Sequence, residues 1–315
     1  MKTRFGRFPE RRIPVNASAG HQKKSFKPVE FFIHALFIML AVCMIAPLLL
    51  VIAVSFTEET AITEFGYSFI PKVFTTKAYS YIFQSPLVLL RAYGVTAFVT
   101  VCGTILALLI TAMLGYVISR RNFAYGPYAT FFIFFTMLFN GGLVPSYILI
   151  TQYLHLSDTI WVLIVPTLVS PFNILIMRGF LVKLPPEIIE SAKVDGAREL
   201  RIFFTIILPL STPALATLGL FISFGYWNSW FPALLYINNE KLVPIQLLLV
   251  RMMENINYLT SNSDFVRFVD VDTSNFPTLS ARMAMAILAV GPMMFIFPMF
   301  QRYFVQGLTV GSLKG

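Results

Sequence analysis

From Phe31 to Thr57, and again from Ala92 to Ser119, this chain carries no Asp, Glu, Lys or Arg. Each run exceeds the roughly 20 apolar residues that a helix needs to cross a bilayer core. Similar blocks near residues 30–54, 92–119, 126–153, 158–180, 208–236 and 281–301 predict six transmembrane helices. Of the residues, 57% are hydrophobic and 12% charged, which leaves too little polar surface to cover a water-soluble globule. The expected class is an all-α integral membrane protein.

Two spans carry local signals. The third contains Asn140, Gly141, Gly142 and Pro145. Such a run frees backbone groups that only protein or a wet cavity can satisfy at that depth, so a bend or end is expected there. The second places Gly103, Ala107, Thr111 and Gly115 four residues apart, a stripe that lets another backbone come close. The stripe alone does not say whether that neighbour belongs to this chain or to a partner.

The net charge of +9 allows either nucleic-acid binding or a membrane orientation signal. Residues 1–29 hold eight Lys or Arg with no apolar run and no small-residue cleavage site, and are expected to form a cytoplasmic tail. With that tail inside and six spans, 17 of the 24 Lys and Arg lie on inner segments and 7 outside, whereas six acids lie inside and nine outside. The basic excess therefore reports topology, with both termini cytoplasmic, and no nucleic-acid partner is expected.

Two outer segments are long, 55–91 and 237–280. The second mixes Asn257, Tyr258, Asp264, Phe265, Asp270, Asp272 and Phe276, and its apolar stretches 247–250 and 265–271 predict a folded excursion.

Enzymatic chemistry has little support. The chain has no Gly-x-x-x-x-Gly-Lys-Ser/Thr phosphate cradle, so any ATP must be held elsewhere. His21, His34 and His155 are scattered, and Cys43 and Cys102 sit in apolar blocks, so no metal-ligand spacing exists. An ion-coupled secondary sugar carrier commonly keeps a carboxylate within its spans. Here the spans are nearly free of acids, and Asp158, at a span edge, is expected to cap. A scaffold without a transport path is a further alternative.

Span five offers Tyr226, Trp227, Asn228 and Trp230, aromatic faces and an amide suited to sugar rings and hydroxyls, which Asn140 and Gln152 could join. An interfacial aromatic belt explains the same spacing equally well.

The inner loop 181–207 is the most informative segment. Pro185 and Pro186 suit a helix start, and Glu187 and Glu190 suit the positive end of its dipole. Asp195-Gly196 predicts a sharp turn, after which Ala197 begins a second helix with Leu200, Phe203 and Phe204 on one apolar face. An amphipathic connector resting on headgroups has these features too.

The run Glu190-Ser191-Ala192, Asp195-Gly196-Ala197, then Phe203 or Phe204 and Leu208-Pro209, resembles the EAA motif of binding-protein-dependent ABC importer permeases. Glu190, Ala192, Asp195, Gly196 and Ala197 match it position by position, and Ser191 stands where a second Ala is usual. Residues 140–147, 226–230, 244–246 and the ending 307–315 are similar to the carbohydrate-uptake branch.

This resemblance implies a permease domain over 30–306 with the type I importer fold. It implies a coupling helix between spans four and five that docks on an ATPase, with Glu190, Ala192, Asp195, Gly196 and Ala197 as the coupling residues. It also implies a homologous second permease, two nucleotide-binding subunits that carry ATP and Mg, and an extracytoplasmic sugar-binding protein. The cargo is an oligosaccharide, and the site is a bacterial cytoplasmic membrane. Neither a cofactor nor a metal is expected in this chain. Asn140, Tyr226, Trp227, Asn228 and Trp230 become the expected substrate path. By similarity to the maltose importer, loop 237–280 reaches the binding protein and tail 307–315 reaches the ATPases.

Overall fold

The computed structural model describes residues 28–261 and 277–312. Residues 1–27, the stretch 262–276 with the expected apolar run 265–271, and residues 313–315 lie outside the described residues. Among those described, the chain is helical, with no strand beyond one isolated bridge between Thr57 and Phe74. It divides into two compact units, residues 1–48 and 49–315.

Helix α1 spans Pro28–Ser55. Two short helices follow, α2 (Glu59–Phe65) and α3 (Lys77–Ile82), and then the 34-residue α4 (Pro86–Ser119). Pro86 opens α4 because the first helical turn has no use for its missing N–H. The helix therefore begins well before the expected Ala92. At 1.5 Å per residue it is about 51 Å long, well beyond a bilayer core of about 30 Å.

Three helices are long and apolar enough to cross a membrane: Val29–Ser55, Pro86–Ser119 and Leu279–Ile296. Three bent pairs pass the same test together. The first is α5 (Gly126–Leu138) with α6 (Leu143–Tyr153), bent by 110°. The bend falls on the expected glycines: Gly142 has φ +88°, and its N–H donates to Asn140 Oδ1 at 2.8 Å. The second joins the tight turns of Ile160–Thr167 to α7 (Pro171–Leu181) at 51°. The third joins α9 (Glu199–Leu210) to α10 (Thr212–Trp227) at 79°. Between them lies α8 (Pro186–Val194). Helices α11 (Phe231–Tyr236), α12 (Ile245–Ser261) and α13 (Leu279–Ser312) complete the order.

Blocks 158–180 and 208–236 are thus not continuous helices, as their hydropathy suggested. The restarts are local. Pro171 opens α7, with Ser170 Oγ accepting from the Asn173 N–H, and Pro213 sits likewise in the first turn of α10.

Helix α4 is the axis of the second unit, packing against α7, α10 and α12, while α10 also packs on α13. Lipid is as apolar as leucine, so such contacts depend on close packing rather than escape from water. The small-residue stripe supplies it, and its neighbours belong to this chain. A Cβ at Gly103 would lie 2.6 Å from the Tyr226 ring, and one at Gly115 would lie 3.0 Å from the Met177 side chain. One core cluster includes Val99, Tyr116, Ile164, Met177, Ile202 and Leu218. A second includes Ile82, Leu89, Trp227, Ile245, Leu249 and Met285. In the described part of segment 237–280, α12 buries Leu247 and Leu249 inside the bundle, which is more than the expected excursion.

Candidate functional site

The motif residues converge on α8 and the turn after it. Pro185 precedes the helix and Glu187 lies in its first turn, as the dipole favours. Gly196 has φ +78°, a conformation that a residue with a Cβ avoids. Its N–H donates to Lys193 O at 3.0 Å, and the Ala197 N–H donates to Ala192 O at 3.0 Å. This pair of bonds is a Schellman cap. It stops α8 and directs the chain into α9, which starts at Glu199 rather than at Ala197.

One face of α8 is buried through Ile189 and Ala192. The other exposes Glu187, Glu190, Ser191 and Asp195, with Val194 88% exposed. An apolar side chain left that open beside the Glu190 and Asp195 carboxylates makes a ridge suited to a complementary surface. The expected apolar face of α9 is divided: Ile202, Phe203 and Ile207 are buried, whereas Leu200 and Phe204 are exposed. Residues four apart share one side of a helix, so Leu200 and Phe204 lie together on a side that Phe203 leaves.

A polar strut ties this elbow to α4. The Tyr116 hydroxyl donates to Glu199 Oε2 at 2.8 Å, Lys193 pairs with Glu199 Oε1, and the Tyr116 and Phe203 ring centroids lie 5.7 Å apart. The hydrogen bond from Lys193 holds the Glu199 carboxyl below its ordinary range, against a smaller opposing effect of burial. No sequence pattern announced this strut, because its partners lie 83 residues apart.

The residues expected on the path separate into two groups. Tyr226 and Trp227 turn inward, each 5% exposed. The Tyr226 hydroxyl donates to Ile164 O at 3.1 Å, and Trp227 Nε1 donates to Ala289 O at 2.8 Å. Their polar atoms are occupied by backbone carbonyls, which a buried Tyr or Trp requires. Asn228 and Trp230 stay outward. Asn228 ends α10, its Nδ2 donates to Phe224 O at 3.0 Å, and its Oδ1 accepts from Gln246 Nε2 at 3.3 Å. Trp230 is 38% exposed and meets Phe231 edge to face. Beside the break lies a cavity of about 220 Å³ lined by Thr167, Asn173, Tyr226 and Ser229. Asn140 is exposed at the Gly-Gly bend, and Gln152 is exposed on the last turn of α6.

Two acids act as long-range caps that sequence reading missed or misplaced. Glu59 accepts from the Leu279 and Ser280 N–H groups and from the Thr278 and Ser280 hydroxyls, so α2 caps the start of α13. Asp158, at φ +59°, caps not its own span but the chain after α11, accepting from Asn238 N–H at 2.9 Å and Asn239 N–H at 2.7 Å. No group of three or more His, Cys, Asp or Glu able to hold a metal occurs among the described residues.

Residues 122–310 match the family described as binding-protein-dependent transport system inner membrane component. Protein LplC of Bacillus subtilis (strain 168) is 37% identical over 271 residues, 86% of this chain and 90% of that protein. The polygalacturonan/rhamnogalacturonan transport system permease protein YtcP of the same organism is 35% identical over 286 residues, 91% of this chain and 98% of its own. The arabinooligosaccharides transport system permease protein AraQ of Halalkalibacterium halodurans is 26% identical over 283 residues, covering 89% and 94%. A chain in the crystal structure of a bacterial ABC transporter involved in the import of the acidic polysaccharide alginate superposes with a TM-score of 0.73 at 25% identity. The match covers 88% of this chain and 97% of that one.

Proposed function

The chain belongs to the family of binding-protein-dependent transport system inner membrane components, as a permease subunit of an ABC importer for sugars, and we propose that α8 works it mechanically as a gate for oligosaccharides. It is a permease and not the ATPase, and the ion-coupled carrier gives way to this reading.

The spans are six: α1, α4, the bent α5–α6 pair, the turns with α7, α10 with α11, and α13. Both termini and α8 face the cytoplasm, in agreement with the excess of Lys and Arg on those segments. The single observation that carries the mechanism is the α8 ridge. Glu190, Asp195 and Val194 face outward from a helix whose other side is packed and whose end is tied to α4. A partner that grips such a ridge moves the bundle with it. Ala192 seats the helix, and Gly196 and Ala197 close its cap.

The partners in this reading are a homologous second permease, two nucleotide-binding subunits that hold ATP and Mg, and an extracytoplasmic sugar-binding protein. Closure of the ATPase pair pulls α8, reorients the spans and opens the path outward, a shift between two global states. Asn228 and Trp230, with Asn140, line the path, while Tyr226 and Trp227 hold the break in place. An oligosaccharide cargo agrees with relatives named for arabinooligosaccharides and polygalacturonan/rhamnogalacturonan.

The test is affinity purification from the native membrane with mass spectrometry of the co-purifying subunits, for the wild type and Gly196→Pro. A nucleotide-binding subunit with the wild type alone is the expected result. Its equal recovery with both chains, or with neither, would remove α8 as the coupling element.

A further inference from the structure

Between the end of α4 and the α8–α9 elbow, beside the strut of Tyr116, Glu199 and Lys193, lies a cavity of about 370 Å³. Tyr116 and Phe123 contribute its rings, and Arg120, Asn122, Lys193 and Glu199 its polar groups. Its chemistry is one-sided. The Arg120 guanidinium lies 5.4 Å from the Tyr116 ring centroid and has no acceptor among the described residues, and neither does the exposed Asn122 amide. Glu199 is the one acid in the wall, and each of its oxygens already accepts one bond, from Tyr116 and from Lys193.

Three donor side chains, two of them cationic, therefore surround a space with a single acid. A guanidinium resting on a ring keeps its planar fork free for an oxyanion, and although Arg120 is drawn electrostatically to Glu199, its N–H donors are not bonded to an acceptor among the described residues. Val117 adds an apolar side chain to the wall, and beyond the cavity Met113 and Leu114 are exposed along the same end of α4. The position thus combines unspent donors with a neighbouring lipid-like surface, as basic pockets for phosphate headgroups do.

We propose that Arg120, Asn122 and Lys193 form a binding site for a phosphate group, presented by the headgroup of an acidic phospholipid. The proposal rests on the reading of α8 as cytoplasmic and near the membrane surface. A phosphate that bridges Arg120 at the end of α4 to Lys193 on α8 competes with Glu199 for the lysine. Its occupancy therefore sets how firmly the elbow is tied to the bundle.

The test titrates the importer, isolated with its co-purifying subunits, with phosphatidylglycerol, phosphatidylcholine or inorganic phosphate, and counts bound lipid by native mass spectrometry. The expected result is a preference of about tenfold for phosphatidylglycerol over phosphatidylcholine, one charge-assisted hydrogen bond in size, that Arg120→Gln abolishes. Asn122→Asp, at an exposed position that leaves the fold alone, sets a carboxylate among the donors and abolishes it too. Equal binding of both lipids by the wild type, or an unchanged preference in both variants, overturns the site. Retention of inorganic phosphate by the wild type together with no bound phosphatidylglycerol keeps the anion site and overturns its lipid source. Subunit recovery compared between the wild type and Gly196→Pro reports separately on the coupling role of α8, so the two readings fail independently.

Discussion

The chain breaks a helix in two places that matter, after α8 and after α10, and closes the two breaks differently. At Gly196 the free backbone groups bond to each other, through Gly196 to Lys193 and Ala197 to Ala192, so every side chain of the ridge stays available. At Asn228 a side chain does part of the work, bonding back to Phe224 and across to Gln246. A backbone-closed turn is stiff and presents its surface to a partner. A turn closed by an exposed amide can exchange its bonds for those of a hydroxylated ligand. The difference fits an element that transmits force and one that meets cargo.

The largest expected effect tests the stiff turn. Gly196→Pro removes the N–H that closes the cap and demands a φ near −65° where the chain has +78°. Uptake of labelled oligosaccharide should fall below detection while immunoblots show normal membrane insertion. Asp195→Arg should do the same by reversing the charge of the ridge, and normal uptake in both would erase the contrast.

Asn228→Leu tests the compliant turn. Loss of one or two sugar hydrogen bonds, at about 1 kcal/mol each, predicts uptake weakened by about tenfold with ATPase subunits still bound. A loss of the subunits instead would make Asn228 part of the coupling route.

Trp227→Phe sharpens the division within the expected path. It deletes the donor to Ala289 while keeping an aromatic ring, so the thermal midpoint should drop by a few degrees, about 1 kcal/mol. The uptake half-saturation should not move, and a large shift in it would return Trp227 to the path. The smallest effect is Glu199→Gln. Its pair with Lys193 is half exposed, and exposed pairs contribute about 0–1 kcal/mol, so uptake should fall by less than about threefold. A complete loss would show that the strut to Tyr116, rather than the ridge, carries the force.

Much was legible in the residues alone. Charge-free runs longer than a bilayer is thick admit one solvent and one kind of element, so the membrane class followed. The motif around Glu190 to Ala197 marked α8 and its turn, the Gly-Gly run marked the 110° bend, and the Gly103 to Gly115 stripe marked a close helix contact. These are local signals, each carried by residues within a few turns of one another.

Tertiary structure decided the rest, for three physical reasons. Lipid and protein interior are both apolar, so hydropathy cannot tell which face of α4 packs on α10, nor that Trp227 turns inward while Trp230 does not. Hydropathy also averages over breaks, which is why blocks 158–180 and 208–236 read as continuous although the chain bends between Thr167 and Pro171 and between Leu210 and Thr212. And the bonds that fasten the bundle join residues remote in sequence: Glu59 to the start of α13, Asp158 to Asn238, Thr96 Oγ1 to the Ile245 N–H at 2.8 Å. Each needs a donor and an acceptor brought within about 3 Å by packing, and only the folded chain brings them there.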